Sequence, residues 1–220
     1  MSAPSVADVL LALRLRGVIE GSLLAERLGV PEPPVVEMLD ACGREGWVQR
    51  SGGRLPGWSL TAAGRRHGEG LLAGELDAAS ARRPLESAYG RFLVLNADLL
   101  SVCTAWQVVV IDGAEAPNDH LDPVRDAAVL ARLSALHAST EPLLAELAGL
   151  TARFGGYQHR LDVAHARVAD GSHEWIARPT IDSYHTVWFE LHEHLLATLG
   201  RTRTDERTPE PAPAPHEEYA

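Results

Sequence analysis

The chain has 220 residues, of which 45% are hydrophobic and 23% charged, and its mean hydropathy is −0.09. This composition is typical of a globular protein of one or two domains and excludes collagen-like and disulfide-stabilised scaffolds. The sequence contains no apolar run of about 18 residues that would predict a membrane span. Residues 1–8 lack the features of a signal peptide, and only two cysteines are present, so we expect a cytoplasmic protein.

The charge is unevenly distributed along the chain. Twenty arginines and no lysine face 30 acidic residues, which gives a net charge of −10 and argues against a non-specific nucleic-acid coat. Residues 1–83 hold ten arginines and ten acidic residues, so the whole excess of acid follows residue 83. Between residues 44 and 66, five arginines accompany one acidic residue, which is a local charge of +4.

These patterns predict a mainly α-helical protein with three segments. Residues 1–83 form the first domain, residues 84–200 form an all-helical domain, and residues 201–220 form a proline-rich acidic tail. The tail has too few apolar side chains to offset its ordering entropy, so we expect it to be disordered.

The first domain has the pattern of a winged helix-turn-helix. Apolar residues at helical spacing predict three helices before residue 46. Two short extended runs, 47–50 and 58–60, flank a glycine-rich turn, as in a β-hairpin. Thr61 is the predicted N-cap of a following long helix.

The segment GWVQRSGGRLPGWSLTAAGRR resembles the wing of the MarR family, in which a leucine-threonine-x-x-glycine stretch closes the hairpin and starts the next helix. Here that stretch includes Leu60, Thr61 and Gly64. The resemblance covers residues 5–80, about a third of the chain. It implies a winged helix in a transcriptional regulator that binds double-stranded DNA.

The third helix of such a domain normally enters the major groove. In this chain its predicted exposed face carries Glu32, Glu37 and Asp40 but only one arginine, a pattern that repels phosphates. The wing and its flanks are better suited to hold phosphates. The candidate DNA-binding residues are therefore Arg44, Arg50, Arg54, Arg65 and Arg66.

The second domain begins with a predicted long helix, 84–111, that carries a heptad-like apolar seam. We expect this seam to contribute to a homodimer interface. Asn96 interrupts the seam, and its amide either fixes the register against a neighbouring helix or meets a ligand. Residues 112–121 are predicted to form an acidic loop, and Pro142 is predicted to break or restart the helices that follow.

The last predicted helix, 181–196, has two apolar stripes and is expected to be central and mostly buried. His185, Phe189 and His192 share one stripe on a predicted interior surface, whereas Thr186, Glu190, Glu193 and Ala197 form the predicted polar side. A pocket lined by aromatic and histidine side chains suits an aromatic or anionic small-molecule effector. The candidate ligand-binding residues are Asn96, Trp106, Tyr184, His185, Trp188, Phe189 and His192.

Two alternatives for this stripe are satisfied core histidines and a metal site. A metal would need further ligands from His159, His165, His173, Asp119, His120 and Asp122, and the spacing of seven between His185 and His192 is poor for chelation. We therefore predict no metal and no cofactor. No catalytic motif is present, so we predict that the protein is not an enzyme. Cys42 and Cys103 occupy apolar positions, which favours inert core cysteines over oxidant sensors.

The resulting hypothesis is a dimeric, ligand-responsive transcriptional regulator that contacts DNA mainly through its wing. In the alternative hypothesis, the winged helix is a protein-docking module that does not bind DNA. The segment DSYHTVWFELHEHLL loosely resembles helical regions that accompany phosphoenolpyruvate-utilising enzymes, and such an enzyme is then a possible partner. No site residue follows from that second resemblance.

Overall fold

The computed structural model describes residues 4–52, 56–111 and 113–206, and this part of the chain forms eight α-helices and five short strands. The prediction of a mainly helical chain with a small antiparallel sheet is confirmed. Two larger hydrophobic cores, one in each half of the chain, are joined by a smaller apolar cluster.

The first half contains four helices and a three-stranded antiparallel sheet. Its elements are α1 (Val6–Arg16), β1 (Val18–Ile19), α2 (Gly21–Leu28), α3 (Glu32–Arg44), β2 (Val48–Ser51), β3 (Gly57–Leu60) and α4 (Ala62–Ala78). The strand order is β1-β3-β2, with Ser59 of β3 lying between Val18 and Gln49. Thr61 caps α4 as predicted, since its hydroxyl accepts a hydrogen bond from the backbone N–H of Gly64 at 3.0 Å. The two-residue strand β1 was not predicted.

The second half contains four helices, two of which are longer than any helix of the first half, and a β-hairpin. Its elements are α5 (Arg82–Gln107), β4 (Val108–Ile111), β5 (Ala114–Pro117), α6 (Pro123–Leu150), α7 (Tyr157–Ala169) and α8 (Tyr184–Leu199). Helix α5 packs against α6 and α8, and α7 packs against both α6 and α8. A short 3-10 helix, Ala152–Phe154, connects α6 to α7 and places Phe154 in the core.

The end of α5 differs from the prediction. The sequence predicts a helix to residue 111 followed by a loop, but the helix stops at Gln107, and the β-branched residues 108–111 pair with residues 114–117 as an antiparallel hairpin. Gly113, with φ of 81°, supplies a turn conformation that other residues rarely adopt. Four consecutive β-branched residues favour an extended chain once a partner strand is near, and this preference ends the helix.

Pro142 does not break the helix in which it lies, so this prediction was wrong. Helix α6 is 28 residues long and continues through the proline without a break. The apolar side chains on either side of it, Leu136, Leu143, Leu144 and Leu147, are all buried in the same core. Just before the proline, the Thr140 hydroxyl donates to the His137 carbonyl at 2.7 Å.

The heptad-like seam of α5 is buried within one chain. Leu85, Phe92 and Leu99 are at most 1% exposed, and they belong to a core shared with α6, α7 and α8. The prediction that this seam forms a dimer interface is therefore incorrect, because neighbouring helices of the same chain already cover it. Whether the protein is a homodimer through another surface stays a prediction.

The two halves pack against each other through α8, which contacts both α1 and α4. Ala197 of α8 is fully buried against Leu11 of α1 and Leu72 of α4. The backbone turns from α4 to α5 at residues 79–81, where Ser80 has φ of 53°. Of the predicted tail, residues 207–220 lie outside the described residues.

In the described part of the chain, no helix combines the length and the apolar character needed to cross a membrane.

Candidate functional site

The chain segments that carry the predicted DNA-binding arginines meet where α3 ends and α4 begins. The backbone N–H of Thr61 donates to the Trp47 carbonyl at 3.0 Å, and the Thr61 hydroxyl donates to the Gly46 carbonyl at 2.7 Å. Gly64 allows this approach, because a Cβ there would lie 1.9 Å from the Trp47 carbonyl oxygen. Arg44, just before this junction, and Arg65 and Arg66, just after it, are all exposed.

Arg50 lies on β2, beside the exposed face of α3. Its guanidinium stacks 4.6 Å from the centre of the Trp58 ring, and its Nη2 lies 3.6 Å from an Asp40 carboxylate oxygen. Asp40 and Arg44 are one helical turn apart, so two arginines flank one aspartate on this face. The Arg50–Asp40 pair is largely exposed and stabilises the fold little. Arg54 lies outside the described residues.

The exposed surface of α3 is acidic, as the sequence predicted. Glu32, Glu37 and Asp40 are exposed, and Arg44 is the basic residue in the last turn of the helix. The positive strip defined by Arg44, Arg50, Arg65 and Arg66 therefore borders this helix and is not centred on it. We call these four arginines the basic strip.

Four of the predicted ligand-binding residues lie together between α5 and α8. The indole N–H of Trp188 donates to the Asn96 side-chain oxygen at 3.0 Å. Trp188 is stacked between Phe92 and Tyr184, and Tyr184 and His192 are at most 2% exposed. Asn96 thus makes the hydrogen bond that a buried tryptophan requires, which matches the structural role considered for it. A role of this group in ligand binding stays a prediction.

The other three predicted ligand-binding residues lie elsewhere. Trp106 packs its ring against His120 and His173 at the far end of α5. His185 is half-buried, and burial together with the charge of Arg203 lowers its pKa. Phe189 is 44% exposed, and the Arg203 guanidinium lies over its ring at 4.6 Å. The prediction that Phe189 lies on an interior surface was therefore wrong. Of the three residues of the stripe His185, Phe189 and His192, the middle one is exposed to solvent.

An ion-pair cluster around a buried glutamate was missed by the sequence analysis, which placed Glu190 on a polar side of α8. The Glu190 side chain is 3% exposed and forms ion pairs with three arginines of three different helices. Arg160 of α7 donates to it at 2.8 Å, Arg27 of α2 also donates to it, and Nη2 of Arg16 of α1 lies 2.9 Å away. Glu190 therefore connects the two halves of the chain.

Asp182 extends this cluster. It accepts hydrogen bonds from Arg160 at 2.9 Å and from Arg16 at 3.1 Å. Burial raises the pKa of Asp182, but the hydrogen bonds and charges of these two arginines outweigh burial and hold that pKa below its usual value. In the sequence, the only indication of this cluster is that Glu190 stands next to apolar stripes. Its arginine partners are distant in sequence, so no local pattern identifies them.

A second ion-pair cluster joins the halves around Arg153, in the 3-10 helix. Its guanidinium donates to both carboxylate oxygens of Glu75 on α4 at 2.9 Å and also to Asp8 on α1. Ser5 and Asp8 form a capping box at the start of α1, so Asp8 serves both the helix and the interdomain contact. A bidentate arginine–carboxylate pair is geometrically specific, which fixes the position of α4 relative to the 3-10 helix.

Between the two clusters lies a cavity of about 260 Å³, which we call the interdomain cleft. Arg27, Arg153 and Arg160 line it together with Tyr157 and His194, and its remaining lining is Asp8, Leu11, Ala12, Leu15, Leu28 and Gly156. The Tyr157 hydroxyl lies 3.2 Å from Nδ1 of His194. Burial, with the nearby charges of Arg153 and Arg14, lowers the pKa of His194 to about 3, so this imidazole is neutral at pH 7.

The residues considered as additional metal ligands do not converge. Within the ranges 4–52, 56–111 and 113–206, no group of three or more histidine, cysteine or acidic side chains is placed to hold a metal ion. His120 instead lies 3.0 Å from the Asp126 carboxylate, and His165 stacks on His137 with ring centres 4.2 Å apart.

Both cysteines are buried, Cys42 in the first half of the chain and Cys103 in the second. Burial raises the pKa of the Cys103 thiol to about 11, and burial with the charge of Glu45 raises that of Cys42. Because the thiolate is the reactive form, Cys103 should react with iodoacetamide at pH 7 about 100-fold more slowly than in the unfolded chain. Mass spectrometry of native and urea-unfolded protein measures these rates, and equal rates in both states would contradict this prediction.

Comparisons of the chain with models of known protein families, with curated proteins and with solved structures gave no match. What the protein does is therefore inferred from its own residues.

Proposed function

We propose that this protein is a DNA-binding transcriptional regulator whose first half is a winged helix-turn-helix. The element order α1-β1-α2-α3-β2-β3-α4, with β3 central in an antiparallel sheet, supports this proposal. In a winged helix, α3 faces the major groove and the β2–β3 hairpin is the wing. The residues 53–55 at the tip of this hairpin lie outside the described residues.

The single observation that carries the proposal is the basic strip. Its four arginines lie on three elements of the first half, α3, β2 and α4, and all are exposed. Among the described residues, Arg44, Arg65 and Arg66 form no ion pair, so their guanidinium groups are available for phosphate oxygens. Arginine makes bidentate contacts with phosphates, and such contacts position a protein on the duplex.

The acidic surface of α3 favours a second candidate function, that of a protein-docking module. Glu32, Glu37 and Asp40 repel phosphates, but they suit a basic surface on a protein partner. In the regulator proposal, the strip therefore supplies phosphate contacts from the edge of α3, and base-edge contacts from α3 are few.

The test is the affinity of the purified protein for DNA from the region upstream of its own gene, measured by fluorescence anisotropy over a range of salt concentrations. The double substitution Arg65→Ala/Arg66→Ala should weaken binding and reduce the slope of log affinity against log salt by about 1 for each phosphate that is no longer neutralised. The matched control is Arg125→Ala/Arg132→Ala, which removes two exposed arginines from α6. The control should leave both the affinity and the slope unchanged.

Two results would overturn the regulator proposal. One is the absence of DNA binding even at low salt, which would leave the docking module as the better explanation. The other is an equal decrease in affinity in both double variants, which would show that the strip has no special role.

A further inference from the structure

The interdomain cleft has a charged wall and an apolar wall, and neither the predicted ligand group nor the basic strip contributes to it. We propose that this cleft binds a small organic phosphate, with the phosphate held by its arginines and an apolar body held by its leucines. This proposal is independent of DNA binding.

The charged wall is built from three arginines that approach from three different elements. Arg27 lies on α2, Arg153 in the 3-10 helix after α6, and Arg160 on α7. A phosphate monoester presents three terminal oxygens in different directions, whereas a carboxylate presents two in one plane. Guanidinium groups that approach from several directions therefore suit a phosphate better than a carboxylate.

Hydrogen-bond capacity remains at this wall after the internal ion pairs are formed. Nη2 of Arg160 is buried and has no hydrogen-bond partner among the described residues, while its Nε and Nη1 bind Asp182 and Glu190. Arg27 donates to Glu190 through Nη2, so its other nitrogens are available. Buried polar atoms are normally paired. Nη2 of Arg160 has almost no solvent-accessible surface, so the donors that a ligand can reach directly are those of Arg27, whose side chain is 21% exposed.

Carboxylates pair with each of these arginines. Glu190 and Asp182 hold Arg27, Arg160 and the neighbouring Arg16, and Asp8 and Glu75 pair with Arg153. They fix the guanidinium positions, so a ligand does not have to order flexible side chains when it binds. Asp8 is the one acidic side chain among the described residues that line the cleft itself.

His194 contributes an imidazole ring to the wall of the cleft. It is 2% exposed, lines the cleft, and its Nε2 has no hydrogen-bond partner among the described residues. Its Nδ1 is fixed by the Tyr157 hydroxyl, so the ring has one defined orientation. Its Nε2 has almost no solvent-accessible surface, so this neutral imidazole shapes the wall of the cleft and adds no charge to it.

The opposite wall is apolar and belongs to the first half of the chain. Leu11, Ala12 and Leu15 of α1 and Leu28 of α2 line it. Inorganic phosphate would leave this surface uncovered, whereas the body of an organic phosphate would bury it. The bound molecule would then contact both halves of the chain.

The experiment is isothermal titration calorimetry of the full chain with phenyl phosphate. Inorganic phosphate and phenol are titrated separately, because each represents one part of that ligand. Phenyl phosphate should bind most tightly. Arg27→Gln should weaken its binding by about tenfold or more, because a charged hydrogen bond is removed. Arg91→Gln, which removes an exposed arginine of α5 outside the cleft, should not.

If Arg27→Gln does not fold, a second pair of variants tests the proposal by filling the cleft with a larger side chain. A Cβ at Gly156, which lines the cleft, would meet no atom within 4 Å, and the same holds at Gly149 on α6 outside it. Gly156→Leu should therefore weaken phenyl phosphate binding, and Gly149→Leu should not. The proposal is overturned if phenyl phosphate does not bind at millimolar concentrations or if inorganic phosphate binds equally well. It is also overturned if a cleft variant and its control, in either pair, bind phenyl phosphate with equal affinity.

Discussion

Replacement of Glu190 by glutamine is expected to lower the free energy of unfolding by about 3 kcal/mol, because it removes the buried negative charge that three partly buried arginines share. Glu190 pairs with Arg16, Arg27 and Arg160, whose side chains are 21–31% exposed, whereas the glutamate itself is 3% exposed. Glutamine keeps the size of the side chain and one acceptor oxygen, so the decrease reports charge and not packing. We choose the low end of the range for broken buried pairs because the arginines retain some contact with water.

Urea unfolding at pH 7, followed by circular dichroism, measures this change. Glu193→Gln is the matched control, since Glu193 lies on the same helix and pairs with the exposed Arg203 at 2.7 Å. Its replacement should cost less than about 1 kcal/mol. If the two substitutions have equal effects, Glu190 does not hold the two halves of the chain together.

Gly64→Ala should destabilise the protein by about 3 kcal/mol, although alanine usually stabilises a helix relative to glycine. The added methyl group would lie 1.9 Å from the carbonyl oxygen of Trp47, which is backbone and cannot rotate away. The start of α4 would have to move away from the residue that precedes β2, and the hydrogen bond between Thr61 and Trp47 would weaken.

Gly70→Ala, further along α4, is the appropriate comparison. A Cβ there meets no atom within 4 Å, so this change should stabilise the protein by about 0.5–1 kcal/mol. Thermal and urea unfolding of both variants measure whether each substitution raises or lowers the free energy of unfolding. A stabilising Gly64→Ala would show that α4 and the Trp47 backbone are not in the close contact described.

Helix α8 shows where sequence periodicity succeeds and where it fails. The two apolar stripes correctly indicated a central helix, because apolar spacing depends only on neighbouring turns. The same pattern placed Phe189 inside and Glu190 outside, and the structure reverses both. A carboxylate is buried only if cations accompany it, and here they come from helices as distant in sequence as α1, which carries Arg16.

The elements of the first half other than β1 were predictable for a related reason. Thr61, the glycine-rich turn and the apolar spacing of α3 act over a few residues, so local rules suffice. The β4–β5 hairpin and the continuous α6 depend on packing around them, whereas local rules predict a longer α5 followed by a loop, and a break at Pro142. The interdomain cleft, whose lining runs from Asp8 to His194, had no local pattern at all.

The position of α8 has a consequence for synthesis of the chain. Leu11 and Leu72 belong to the first half of the chain, yet the surface that covers them includes Ala197, close to the end of the last helix. On the ribosome, the α1–α4 unit therefore emerges with this apolar patch uncovered, and α5, α6 and α7 must all be synthesised before α8 can dock. Until then this apolar surface stays exposed on the nascent chain, and the ion pairs of Arg16 and Arg27 with Glu190 can form only after α8 has left the ribosome.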